Sequence, residues 1–436
     1  MRYSFYLGAA LAASVTTVSA EAGCTNDGGN WYCEAVDLIK YAGFKTSGTY
    51  DEVSSMDAGS MTCGTQSKSY DSAFGPLGEE LSMHFRGPLN LHNVAVYNLG
   101  SETSKRDLKP SIHERRHGHS HQRFHEKRAV GDKVVATING QVVSWTNEYG
   151  GGAPAAPTPA PGSNDPHVKS TGGDSYDKPK SPSKGSSKAP TIPAGKWGRV
   201  AYYSSESGES NGLTFLNNEG AWAKGVTQAF GCALSLAADN LFGIASTPST
   251  PKESSVPDGK EIIIMTDKQC DGDSCGFTRP GATAYHGFGG QDKIFLVKLD
   301  MPYTGKRSDS IYNPVDMPAF WLLNAKIPLV SQYPPNPKCT CWPNCGEFDV
   351  LEVLAPGDRR CKSTYHTEQP HSGGSSYYFD RPTEPTTVAV VFNSGDKTLY
   401  VKVLKDMKDF PETLDPEEVK KICSDVPKTN VFALAS

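Results

Sequence analysis

The chain is predicted to be all-β, with a two-sheet sandwich in its C-terminal part preceded by a small disulfide-containing β domain. Short runs rich in β-branched and aromatic residues recur from Lys196 onward, each bounded by turn residues. The chain holds 43 Gly and 31 Pro in 436 residues, a composition that suits long loops between strands. Helical periodicity is confined to Pro411–Cys423, with its Leu414-Asp415-Pro416-Glu417-Glu418 start.

Residues 1–20 read as a secretory signal peptide: Arg2, an apolar core from Phe5 to Ala13, and the small-residue site Val18-Ser19-Ala20. The apolar run is too short to span a bilayer, and Thr429–Ser436 lacks a lipid-anchor tail. A secreted, extracellular protein with no membrane span is expected. In an oxidising compartment the 11 cysteines read as a disulfide framework rather than a metal cluster. Cys270 and Cys275 are close enough in sequence to close a short loop. Cys24, Cys33 and Cys63 leave one odd thiol before the linker, free or bonded elsewhere.

Residues 21–149 are expected to form the Cys/Gly-rich N-terminal β domain, ending in a hairpin from Lys133 to Trp145 turned at Asn139-Gly140. A basic, His-rich loop at 105–128 interrupts it, with eight Lys/Arg against three Asp/Glu and five histidines from His113 to His125. Such a tract is a solvated loop, a metal-binding segment or a dibasic processing site. Residues 150–195 form a Pro/Ser/Gly-rich linker whose composition cannot bury a core. Residues 196–436 carry the sandwich. The overall charge of −5 gives no reason to invoke nucleic acid.

One strand stands out. Glu347-Phe348-Asp349-Val350-Leu351-Glu352 places three carboxylates in a segment whose other residues are apolar. Strict alternation would put Glu347 and Asp349 on one face and Glu352 on the other. A single β-bulge between Asp349 and Glu352 brings all three to one cleft. Two acids held about 5–5.5 Å apart are what a retaining glycosidase uses, one as nucleophile and one as acid/base. An acidic solvent face and a Ca²⁺ site are the alternatives, although Ca²⁺ loops draw their oxygens from turns rather than strands. Phe320 and Trp321 in Met317–Leu323 are candidate platforms for the apolar face of a sugar, with a core role equally open for Trp321. His366, in Ser363–Thr367, is a candidate to orient a carboxylate.

The order Pro318-Ala319-Phe320-Trp321-Leu322-Leu323, then Glu347-x-Asp349-x-x-Glu352, then Tyr365-His366 resembles glycoside hydrolase family 16. That resemblance implies a β-jelly-roll (concanavalin-like) fold and retaining cleavage or rearrangement of β-1,3-linked glucans. The whole chain is similar to a family of secreted fungal cell-wall proteins in which a Cys/Gly-rich N-terminal domain precedes a glucan endo-1,3-β-glucosidase-like domain. Cys24, Trp31-Tyr32-Cys33 and Asp132–Trp145 carry the N-terminal part of the likeness. The resemblance implies Glu347 as nucleophile, Glu352 as acid/base and Asp349 as the group that tunes Glu347. It implies a cell-wall β-glucan as partner. Gly287-Phe288-Gly289-Gly290 lacks the strand-to-helix setting of a phosphate loop, and no cofactor and no metal are expected. The Cys339/Cys341/Cys345 cluster departs from the family pattern and is expected to reshape the cleft. Hydrolysis, transglycosylation and a non-catalytic glucan-binding role all remain open at this level.

Overall fold

The computed structural model describes residues 23–100 and 192–435, apart from 223–224, 309–313 and 408, together with the strands Lys133–Ile138 and Gln141–Thr146. The expected signal segment, the His-rich loop and nearly all of the linker lie outside the described residues. The chain forms two units, one from 1–102 with 189–436 and one from 103–188. In the second unit the two strands pair antiparallel with Ile138 opposite Gln141. That spacing leaves two residues for the turn, as the Asn139-Gly140 signal predicts.

The first unit is all-β, built on two large sheets. The main strands of these two sheets are β1 (Leu38–Ala42), β2 (Leu81–Arg86), β3 (Leu89–Leu99), β4 (Trp197–Ser204), β5 (Leu213–Asn217), β6 (Glu261–Thr266), β7 (Lys293–Asp300), β8 (Ala319–Asn324), β9 (Glu347–Val353), β10 (Arg360–His366), β11 (Thr386–Asn393), β12 (Thr398–Leu404) and β13 (Thr429–Ala433), while the long strands Ser47–Asp57 and Thr62–Asp71 pair with each other as a separate hairpin. One sheet runs β4-β3-β7-β11-β12-β1-β13 and the other β5-β6-β2-β8-β9-β10. All these neighbours are antiparallel except β13 on β1.

Alternation along the strands builds one core between the sheets. Met83, Phe85, Phe320, Leu322 and Phe348 from one sheet meet Val94, Val96, Phe295, Val390 and Tyr41 from the other. The Tyr41 and Phe348 rings pack edge to face at 5.0 Å across the gap, and Tyr41 Oη donates to Ser363 O at 2.7 Å. Full burial of aromatic side chains of this size is worth about 1.5–3 kcal/mol each.

The N-terminal segment is not a separate domain, contrary to the expected 21–149 boundary. β1 and β3 sit inside the first sheet and β2 inside the second. Strand β3 pairs with β4, Leu99 opposite Trp197. Beyond them Gly100 N donates to Lys196 O at 2.8 Å and Gly195 N to Gly100 O at 2.9 Å. The chain therefore leaves the sandwich at Gly100 and returns beside it. The composition break marks the connection between two paired strands rather than a boundary between two cores.

Four disulfides form: Cys24–Cys33, Cys63–Cys339, Cys270–Cys275 and Cys341–Cys345. Cys270–Cys275 is the short loop expected from sequence. The odd N-terminal cysteine, Cys63, bonds to the loop just ahead of the acidic strand. Cys232, Cys361 and Cys423 are free thiols. The expected C-terminal helix spans Pro416–Cys423, where Asp415 N donates to Glu418 Oε2 at 2.7 Å as a cap. Among the described residues no helix is long and apolar enough to cross a membrane.

Candidate active site

The acidic strand β9 carries the bulge its spacing predicts. Against β10, Asp349 lies opposite Thr364 and Glu352 opposite Lys362. Three steps on β9 thus match two on its neighbour. Against β8, Trp321 lies opposite Asp349 and Phe320 opposite Leu351, with the same extra residue. Val350 and Leu351 both turn into the core, 0% and 1% exposed. Two consecutive inward residues return Glu352 to the face of Glu347 and Asp349. All three acids line one cleft of about 370 Å³, with Arg86, Trp321, Tyr333 and Trp342.

Each acid has a different partner. Asp349 is 4% exposed and its Oδ2 lies 2.9 Å from His366 Nε2. Glu347 accepts a hydrogen bond at Oε2 from the indole Nε1–H of Trp342. Glu352 Oε1 lies 3.3 Å from Arg86 Nη2, whose Nε donates to Met317 O at 2.9 Å. Behind Arg86, Glu261 accepts from Tyr333 Oη at 3.0 Å to each oxygen.

These surroundings set the charges. Burial, then the Asp349 charge, raises Glu347 to about 8, against the opposing pull of His366 and the Trp342 hydrogen bond. Burial and the Asp349 charge raise Glu352 to about 7, offset by Arg86. For His366 burial works against the charge, but the Asp349 hydrogen bond and the surrounding carboxylates outweigh it and lift the imidazole to about 9. His366 is therefore a cation at neutral pH, held between acids. With both carboxyls raised, ionising Glu347 and Glu352 together beside Asp349 is disfavoured near neutral pH.

Trp321 forms the floor of the cleft. It is 4% exposed, its ring stacks on His84 at 5.2 Å, and the Arg86 guanidinium carbon lies 5.9 Å from its centroid. His84 is fully buried, and burial drops its imidazole to about 3, so it is neutral. Phe320 does not reach the cleft. Its parity on β8 is opposite to that of Trp321; it is 0% exposed and stacks on Phe85 at 4.9 Å in the intersheet core. The expectation that Phe320 contacts substrate is corrected accordingly.

Sequence reasoning passed over Arg86, Tyr333 and Trp342. Arg86 ends a strand in the segment assigned to the other domain. Trp342 lies inside the cysteine cluster, between Cys341 and Cys345, and signals itself only through that neighbourhood. The loop bearing Tyr333, Pro335, Pro337, Thr340 and Trp342 forms one wall of the cleft. It is tied down by Cys63–Cys339 and by Asn336 Nδ2 donating to Met61 O at 3.3 Å. Among the described residues, one group has metal-ligand spacing, Cys270, Cys275 and His286, and its two sulfurs are bonded to each other.

Fold and cleft together define an all-β protein with a row of acids on the outer face of one sheet. The chain belongs to the cell wall protein YJL171C/Tos1 family, whose C-terminal model matches residues 195–422 and whose N-terminal model matches residues 37–99. A relative from Arthroderma benhamiae, named "Probable circularly permuted 1,3-beta-glucanase", is 66% identical over 100% of both chains. Relatives named "Probable circularly permuted 1,3-beta-glucanase TOS1" are 35% identical in Saccharomyces cerevisiae, over 93% of each chain. The Candida albicans protein of the same name is also 35% identical, over 93% of this chain and 94% of its own. No solved structure matches the chain.

Proposed function

We propose that this chain is a secreted cell-wall glycoside hydrolase that cleaves β-1,3-glucan with retention of anomeric configuration. The observation that carries the reading is the bulge at Val350-Leu351, which sets Glu347, Asp349 and Glu352 on one cleft face. A structural strand has no use for three carboxylates on a partly buried face with one protonated imidazole among them. The names of the relatives, a cell-wall family and four disulfides support the substrate class and the compartment. A permuted chain order also accords with β1, β2 and β3 lying inside the two sheets.

In the first step the Glu347 carboxylate attacks the anomeric carbon. Glu352, in its protonated form, gives its proton to the departing glycosidic oxygen. In the second step Glu352, now ionised, takes a proton from water, whose oxygen attacks the same carbon and releases Glu347. Asp349, hydrogen-bonded to His366, lies beside Glu347, where its charge strengthens the Glu347 carboxylate as a nucleophile. Arg86 orients Glu352 and balances its charge when the proton has left. Trp321 supplies the flat floor for a sugar ring.

The test is incubation with β-1,3-gluco-oligosaccharides, following products by mass and by anomeric form. Shorter β-anomeric products, absent with Glu347→Gln and with Glu352→Gln, are expected. Products longer than the substrate would instead mark a transglycosylase using the same residues. No turnover of any β-glucan across a broad pH range would leave a glucan-binding wall protein.

A further inference from the structure

The sheet face that carries the acid row continues onto β10. Lys362 lies opposite Glu352 on β10, and His366 opposite Glu347. Directly opposed residues in an antiparallel pair share a face, so Lys362 faces the cleft side of the sheet, and Arg360, two residues along, does too. On this face sits a small hairpin, Thr25–Asp27 paired with Asn30–Tyr32 and closed by Cys24–Cys33.

The docking is specific. The Tyr32 ring lies across the two cations, with the Arg360 guanidinium carbon 3.7 Å and Lys362 Nζ 5.2 Å from its centroid. Arg360 Nη2 donates to Asp27 Oδ2 at 2.7 Å, and Lys362 Nζ donates to the Trp31 carbonyl at 2.9 Å. Cys33 N donates to Ser376 O at 3.0 Å. Neighbours on a strand alternate, so pinning Tyr32 to the sheet turns Trp31 outward. Tyr32 is 3% exposed and Trp31 41%. The Trp31 indole is therefore exposed on a hairpin whose main chain is held by Lys362, the residue opposite Glu352. Trp342, 47% exposed and bonded to Glu347, marks the Glu347 end of the acid row.

We propose that Trp31 is a sugar-stacking subsite that extends the glucan cleft beyond Glu352, so that the N-terminal disulfide hairpin sets the length of chain the protein recognises. The proposal rests on the glucanase reading above. The chemistry around Trp31 selects this ligand over an anionic one. Both cations are already engaged, Arg360 by Asp27 and Asp358 and Lys362 by main-chain carbonyls. What remains on offer is an exposed indole, which suits a neutral polar chain with apolar ring faces.

The test compares kcat/KM of the full-length protein and of Trp31→Ala on a ladder of β-1,3-gluco-oligosaccharides of increasing length. Trp31→Ala is expected to lose activity in proportion to chain length, through KM, reaching about fivefold to tenfold on the longest chains. Trp31→Tyr, which keeps a stacking ring, should recover most of that loss and exclude a folding defect. An active wild type with the same kcat/KM profile as Trp31→Ala at every length overturns the subsite. A wild type inactive on the whole ladder overturns the glucanase reading instead, so the two failures are distinct.

Discussion

His366 Nε2 lies 2.9 Å from Oδ2 of Asp349, one strand away from the Glu347 that Asp349 neighbours along β9. The imidazolium is the one protonated group bonded to the acid row on that side, and its charge offsets that of Asp349. Replacing it by Ala leaves Asp349 buried with an uncompensated charge beside Glu347. His366→Ala should lower kcat about tenfold or more and move the acid limb of the pH–rate profile up by roughly one pH unit. A profile unchanged in shape, with only an altered KM, would show that His366 merely packs.

The wild-type profile itself should be bell-shaped. Catalysis needs one of Glu347 and Glu352 ionised and the other protonated. Below about 7 both hold protons, and above about 8 both have lost them. Maximal kcat/KM is therefore expected between those values, measured on a neutral oligosaccharide whose own ionisation does not intrude.

The same shifts predict a stability effect of defined sign. A carboxyl whose folded pKa lies above its unfolded value binds more protons when folded, so stability falls as pH rises from the unfolded to the folded pKa. For Glu347 that window runs from the ordinary carboxyl value of 4.5 to about 8. Glu347→Gln removes the penalty. Its melting temperature should exceed that of the wild type by about 2–4 °C at pH 8.5 and match it at pH 4. A variant less stable than wild type at the higher pH would contradict the picture of a buried, repelled acid.

Phe320 in the core of β8 and Trp342 on the cleft-wall loop should respond in opposite ways. Phe320→Ala empties a core site and should cost about 3–5 kcal/mol of unfolding free energy, read from denaturant titration. Trp342→Ala, at an exposed site, should cost under about 1 kcal/mol of stability yet raise KM several-fold. Equal effects on KM from both would undo the division between core and cleft.

How much of this was legible in the sequence depends on the range of the physics involved. The bulge was readable because it is local: acids at 347, 349 and 352 fit one face only if the strand gains a residue. Cys270–Cys275 was readable for the same reason. The parity of β8 was not. Ala319–Asn324 is buried throughout, so alternation shows that Phe320 and Trp321 face opposite sides without showing which side holds the cleft. The membership of β1, β2 and β3 was hidden because their partners lie across the long 101–194 segment, and an antiparallel pairing leaves no mark in either strand alone. Trp342 escaped because a loop aromatic is placed by its anchors, here Cys63–Cys339 and Cys341–Cys345, whose pairing no spacing rule supplies.

The central claim is that Glu347 is the nucleophile, and trapping tests it most directly. The protein would be incubated with a 2-deoxy-2-fluoro-β-glucosyl fluoride extended by a β-1,3-linked glucose, digested, and its peptides sequenced by mass spectrometry. The account predicts one covalent glycosyl adduct, on Glu347, that forms in Glu352→Gln as well. An adduct on Asp349 or Glu352, from a wild type that cleaves β-1,3-glucan, would contradict it.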